Sequence, residues 1–291
     1  MSNDKYKQNQ VNMGIFEKAN SAGVKLSYII LLLIVVIVFI PILITIFASF
    51  KNMGQIGADF PLKPPSDLSL KNYIEAFTSG NILLGLKNVV IIAFLSIGIN
   101  ILLGSMLSFC LARFEFRFKS LILVLFLLAM MIPANLTEIS RFGIISKIHL
   151  YNTIFAPIII YIAANIMQIY IYLQYMEKIP VSLDESAMID GCTYFGVYFK
   201  IIFPLIIPAS ATVAILNVVM IFNDMYIPYL YMPAKNLRTM TTVLMAYTSS
   251  QTGQWTIVSA AIIIVMVPTI ILYLAFQKYI FAGMVAGAVK E

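Results

Sequence analysis

Residues 26–50 read LSYIILLLIVVIVFIPILITIFASF, without a single charge. A bilayer core is about 30 Å thick, and a helix needs roughly 20 apolar residues to cross it. This stretch meets that requirement and sets the class, an all-α integral membrane protein. It is far longer than the ~7–15-residue apolar region of a signal peptide, and no small-x-small cleavage site follows it. It therefore reads as a retained anchor. The same criterion selects residues 88–112, 148–176, 201–223 and 257–276. A shorter apolar run covers 120–137, where Pro133 should stop or kink the helix. The chain thus predicts six transmembrane helices in one membrane domain over 26–280. A polar tail (1–25) precedes it and a short one (281–291) follows.

Composition points the same way. Of 291 residues, 61% are apolar and 11% charged, with a mean hydropathy of +0.93; a soluble domain carries about 25% charged residues. That argues against a soluble enzyme, and 20 Phe with 16 Tyr argue against disorder. The net charge of +6 is spread between apolar runs and forms no basic patch, so nucleic acid is not an expected partner. His149 has no second ligand at metal spacing, and it leaves little material for acid–base catalysis. Cys110 and Cys192 make no disulfide framework. Neither catalysis, a metal nor a bound cofactor is expected of this chain.

Six spans put both termini on one side. Placing them in the cytoplasm puts 11 of the 19 Lys and Arg inside, among them Arg113, Arg117 and Lys119 in a short connection, where positive charge fixes orientation most strongly. The outer connection over 51–87 is then the longest. Pro61, Pro64 and Pro65 mark it as irregular, and residues 69–77 could form a short interfacial helix.

Polar residues recur inside the spans. Tyr161, Asn165, Gln168 and Tyr172 step by four, three and four, which places them on one face of a continuous helix. Ser210, Asn217 and Asp224 repeat every seven residues. A carboxylate at the bilayer centre costs about 2.5–3.5 kcal/mol, so Asp224 should face protein, water or the outer interface. Either stripe could line a hydrophilic path for substrate or act as interhelical hydrogen-bond glue. Ser96, Asn100, Gly104 and Ser108, at every fourth position, read as a packing seam. Pro41, Pro204, Pro208 and Pro268 are expected to kink their helices.

Between the fourth and fifth spans, in a connection over 177–200, lies Pro180-Val181-Ser182-Leu183-Asp184-Glu185-Ser186-Ala187-Met188-Ile189-Asp190-Gly191. Ser182 and Glu185 have the spacing of a capping box, worth on the order of 1 kcal/mol. Pro180 blocks extension backward and Gly191 suits a C-terminal stop. A short cytoplasmic helix is predicted, with Leu183, Ala187 and Met188 as an apolar side for docking in a partner's groove.

Glu185-Ser186-Ala187, three residues, Gly191, nine residues, Ile201, one residue, then Phe203-Pro204 resembles the EAA loop of ABC importer permeases. Ser186 and Phe203 depart mildly from that pattern. Asn72 to Phe77, Leu111 to Phe114, Met130 to Pro133 and Asn223-Asp224 look like further landmarks of the family, with Phe222 where a Trp is frequent. The ending from Phe281 to Lys290 looks like the maltose-type second permease subunit. The resemblance implies a coupling helix, Ser182 to Gly191 with Asp190 at its end, docked on a separate ATPase. It implies that the tail residues Gly287, Ala288, Val289 and Lys290 also reach an ATPase. The implied partners are a homologous second permease subunit, two ATPase subunits that carry ATP and Mg, and an extracellular solute-binding protein. The implied work is uptake of a sugar or oligosaccharide by alternating access across a bacterial or archaeal cell membrane. The sole near-match to a P-loop, Gly80 with Gly85, lacks Lys-Ser/Thr directly after the second Gly, so ATP must act on another chain. The rival readings are an ABC permease for a non-sugar solute and an ATP-independent channel or carrier.

Overall fold

The structure is a computed structural model that describes residues 21–79, 81–250 and 254–288. All regular structure among them is helical. The chain divides into two compact units, residues 1–72 with 254–260, and residues 73–253 with 261–291.

In the first unit, α1 (Ser21–Phe50) runs unbroken through Pro41. After it, α2 (Met53–Ala58) starts at a true capping box: the Asn52 side chain accepts from the Gln55 N–H while the Gln55 side chain accepts from the Asn52 N–H. Asn72 then donates to the carbonyls of Ser49 (2.8 Å) and Lys51 (2.9 Å), closing the proline-rich connection on itself. Residues 61–70 are irregular, and the interfacial helix begins at Lys71 as α3 (Lys71–Ser79).

The second unit is organised around α4 (Ile82–Arg113). Five further helices are α5 (Lys119–Met131), α6 (Ala134–Lys147), α7 (Phe155–Tyr161), α8 (Ile166–Glu177) and α9 (Val181–Ile189). Next come α10 (Tyr194–Leu205, with a π-turn at Tyr198–Ile202) and α11 (Ile207–Asn223). The chain continues with α12 (Tyr226–Tyr231), α13 (Met240–Ser250) and α14 (Trp255–Ala288), the last continuous through Pro268. Helix α4 packs against α7, α8, α11 and α13. Its buried residues mix large aliphatics such as Val89, Ile92 and Ile97 with small or amidic ones, Gly85, Asn88, Ser96, Asn100, Gly104, Ser105 and Ser108, and the latter let neighbours approach closely. A Cβ on Gly85 would sit 3.0 Å from the Met240 nitrogen, and one on Gly104 would overlap the Gln168 amide. Close backbone approach with polar bridging is how helices associate where solvent supplies no hydrophobic drive. The ladder on this helix is therefore a packing seam.

Among the described residues, three long helices are apolar enough to cross a membrane, and three bent pairs would each supply a further crossing if each is one span. The bends revise the predicted continuous spans. Helices α5 and α6 meet at 108°, at Pro133, as the proline predicts. The run over 148–176 is not one helix, because α7 and α8 meet at 48°. Asn165 is the cause on one side of that break, since its side chain accepts from the Gln168 N–H (2.9 Å) and starts a new helix. The fifth run begins earlier than predicted and is broken at Ile206, where α10 and α11 meet at 72°. Pro208 has no N–H to give the carbonyl four residues back, and Pro204 flanks the other side.

Candidate functional site: a short docking helix and a polar seam

The segment before α10 folds as the short helix that its sequence predicts, with a correction at its start. At its start, Pro180 (φ −58°, ψ 135°) is the N-cap and no side chain caps the helix. The helix thus begins two residues earlier than a Ser182–Glu185 box requires. Ser182 is already helical and its carbonyl accepts from the Ser186 hydroxyl (2.8 Å), so the box does not form. At its end, the stop is as expected. Gly191 has φ +87°, its N–H reaches the Met188 carbonyl (3.0 Å), and the Cys192 N–H reaches the Ala187 carbonyl (2.9 Å). That pair of bonds is a Schellman motif, which needs a left-handed residue where Gly191 stands.

The faces of α9 also differ from the expectation. Asp184 and Ala187, one turn apart, are buried against the chain's own core. Ala187 packs in a cluster with Phe109, Tyr172, Met176, Val197 and Tyr198 and does not belong to a docking face. The outward side carries Val181, Leu183, Met188 and Ile189, the last 86% exposed, with Ser182, Glu185, Ser186 and Asp190 among them. Val181, Met188 and Ile189 share one side of the helix, and Leu183 lies across the buried arc from them.

A buried ion pair fastens this helix, and sequence reading missed it. Arg113 ends α4; its Nε stands 2.7 Å from Asp184 Oδ2, with both side chains 9% exposed, and its Nη2 donates to the Ile179 carbonyl at 2.8 Å. Burial pushes the Asp184 carboxyl above its usual range, and the Arg113 guanidinium pulls it back only in part. Arg113 enters the sequence reading as one of three topogenic charges and within the Leu111 to Phe114 landmark, neither of which gives it a partner. Nothing local connects it with a residue some seventy positions on.

The two polar stripes come together, although not as two helix faces. Tyr161 ends α7, Asn165 caps α8, and Gln168 and Tyr172 lie on α8, so the first stripe is split by the break. Asp224 lies past the end of α11, so only Ser210 and Asn217 share a helix. Tyr161 Oη donates to Asp224 Oδ2 (2.7 Å), whose Oδ1 accepts from the N–H groups of Tyr226 and Ile227. Tyr172 Oη donates to Ser210 Oγ at 3.1 Å. The hub is Asn100 of α4, which the stripes did not include. Its Nδ2 lies 3.0–3.3 Å from the carbonyls of Tyr161, Ile162 and Ala163, which the break leaves without helical partners. Its Oδ1 accepts from Asn217 Nδ2 (2.9 Å), and its carbonyl accepts from Gln168 Nε2 (2.9 Å). Tyr161, Gln168, Tyr172, Ser210 and Asn217 are buried in this network, whereas Asn165 is exposed and Asp224 half-buried.

A second buried carboxylate escaped notice. Glu138 of α6 pairs with Arg141 and accepts from Tyr231 Oη at 3.0 Å. Burial and that carboxylate push the Tyr231 hydroxyl up, which keeps it a donor. Among the described residues no cluster of His, Cys, Asp and Glu could hold a metal. Gly287 and Ala288 lie in the last turn of α14, whereas Val289 and Lys290 fall outside the described residues.

Comparison with known proteins identifies the family. Residues 100–285 match the family described as the binding-protein-dependent transport system inner membrane component. An arabinooligosaccharide transport permease of Halalkalibacterium halodurans is 30% identical, over 86% of this chain and 90% of its own. A melibiose/raffinose/stachyose import permease of Bacillus subtilis is 30% identical, over 87% and 91%. A diacetylchitobiose uptake permease of Streptomyces coelicolor is 30% identical, over 91% and 87%. In fold, the chain is similar to a bacterial ABC transporter that imports the acidic polysaccharide alginate, with a TM-score of 0.78 at 18% identity, over 90% of this chain and 98% of that one. With its broken apolar helices and a capped polar helix between the last two bent crossings, the chain belongs to the binding-protein-dependent transport system inner membrane component family, as a multi-pass permease subunit of an ABC importer.

Proposed function

We propose that this subunit forms half of the passage for a sugar or oligosaccharide and is driven by two ATPase subunits docked beneath it and its homologous partner permease. The observation that carries the reading is α9 (Val181–Ile189), a nine-residue helix closed by Gly191 that holds Val181, Leu183, Met188 and Ile189 outward. A channel or secondary carrier has no use for such a helix. With both termini in the cytoplasm, α9 faces the same side, where Glu185 can meet a basic group of the ATPase. Gly287 to Lys290 would reach the ATPase beside it, and ATP and Mg would be held by the ATPase chains. Closure of the ATPases on ATP would move α9, and the spans would open a cavity toward an external binding protein that delivers the solute. The oligosaccharide permeases among its relatives support a carbohydrate.

The polar seam then divides its labour. Gln168, Tyr172, Ser210 and Asn217 are held by partners of their own and brace the broken helices, while Asn165 and Asp224, which retain exposure, are the members of the stripes suited to border the passage. The test is purification of the chain with its genomic partners, followed by binding-protein-stimulated ATP hydrolysis and oligosaccharide uptake in proteoliposomes. An ATPase that co-purifies and is stimulated only with loaded binding protein is the expected result. Uptake by the permease pair without any ATPase would refute the reading.

A further inference from the structure

Helix α9 is joined to the membrane core by two covalent routes, back through Glu177 into α8 and forward through Cys192 into α10. The first route reaches the break at Asn165 through the length of α8. Helix α4 has no covalent connection nearby, yet it is the post against which α7, α8, α11 and α13 pack. The single polar link from α9 to this post is Arg113 among the described contacts: its guanidinium binds the Asp184 carboxylate on the first turns of α9 and the Ile179 carbonyl just ahead of Pro180. A planar fork can hold two acceptors in fixed directions, as a lysine ammonium cannot. The pair is buried, so solvent neither screens it nor offers a substitute partner. Thirteen residues up the same helix, about 20 Å at 1.5 Å per residue, stands Asn100, which holds the loose carbonyls between α7 and α8.

We propose that Arg113 is a positioning residue for transport: it clamps the coupling helix to α4, so that displacement of α9 by an ATPase is carried to the break held by Asn100. This rests on the coupling role proposed above and names the route by which that role reaches the passage. Without the clamp, α9 still docks, but its movement reaches the break through α8 and the apolar contacts of Ala187 alone, and less of it arrives.

The experiment compares the full transporter, reconstituted with its binding protein, carrying Arg113→Met, Arg113→Lys, Asp184→Asn or the exchange of Arg113→Asp with Asp184→Arg. The readouts are ATPase retained on the purified permease pair and substrate moved per ATP hydrolysed. The expected result is retained ATPase with a fall in substrate per ATP of roughly fivefold or more, the lower range for coupling between linked sites. Lysine should recover part of it, because it keeps the charge and loses the fork; the exchanged pair should exceed either single charge reversal. If Arg113→Met fails to assemble, Arg113→Lys decides, since a purely structural loss lowers the yield of complex and leaves its ratio intact. An unchanged ratio in an assembled variant of Arg113 overturns the proposal. Failure of the unmodified permease to retain any ATPase would overturn the coupling role itself, a separate outcome.

Discussion

Replacing Gly191 by valine perturbs the proposed coupling helix at one point whose cost can be worked out. The residue has φ +87°, and a Cβ built there meets nothing within 4 Å. The substitution therefore creates no clash, and its whole effect is the backbone strain of an L-residue in a left-handed conformation, about 1–2 kcal/mol. That strain bears on the two bonds that close α9, from Gly191 to Met188 and from Cys192 to Ala187. A nine-residue helix has no reserve of its own, because helices this short are marginal without tertiary support. A loss of 1–2 kcal/mol lowers the closed form against the frayed form by about 5- to 30-fold. The exposed Val181, Leu183, Met188 and Ile189 should then be presented in the wrong direction while the spans remain inserted. The assay is ATPase retention on the purified permease pair, with loaded-binding-protein-stimulated hydrolysis in vesicles. Gly191→Asn is the control, since asparagine tolerates the left-handed region, and it should lie between glycine and valine. Wild-type retention and stimulation in Gly191→Val would refute the argument, and so would an asparagine variant as impaired as valine.

Other expected outcomes follow from the seam. Gly104→Ala should push the Gln168 amide off the Asn100 carbonyl and lower the thermal midpoint of the detergent-purified complex, at about 1–3 kcal/mol for a buried partner lost; an unchanged midpoint would mean that Gln168 relocates freely. Asn100→Leu removes the donor to the break and the acceptor of Asn217, and should cost more than Asn217→Leu alone, measured by the same melt. Tyr231→Phe leaves Glu138 with Arg141 as its remaining partner among the contacts described, at about 1–3 kcal/mol, and Tyr231→Phe in a Glu138→Gln background should cost visibly less if the pair is what matters.

What the sequence revealed and concealed follows from how far apart the deciding atoms lie along the chain. Length and apolarity of a span are local sums, so the membrane class and the crossings are legible without a partner residue. Gly191 is legible for the same reason, because its role depends on its own φ. The capping box misled because Ser182 and Glu185 satisfy a spacing rule that says nothing of where the helix begins; Pro180, two residues upstream, takes the N-cap and places Ser182 inside the helix. The stripe through Asn165 misled in the opposite sense. Its steps of three and four fit one unbroken helix, yet an asparagine that can cap is equally suited to end one, and the choice rests on whether the carbonyls freed by the break find another donor. Asn100, more than sixty residues earlier, supplies that donor. The break in the fourth crossing is thus a property of the second, and the anchorage of α9 is a property of Arg113 at the second crossing's end. Both dependencies run through α4, so the helix whose polar ladder looks most like mere packing is the one that holds the bend between α7 and α8 and the seat of α9.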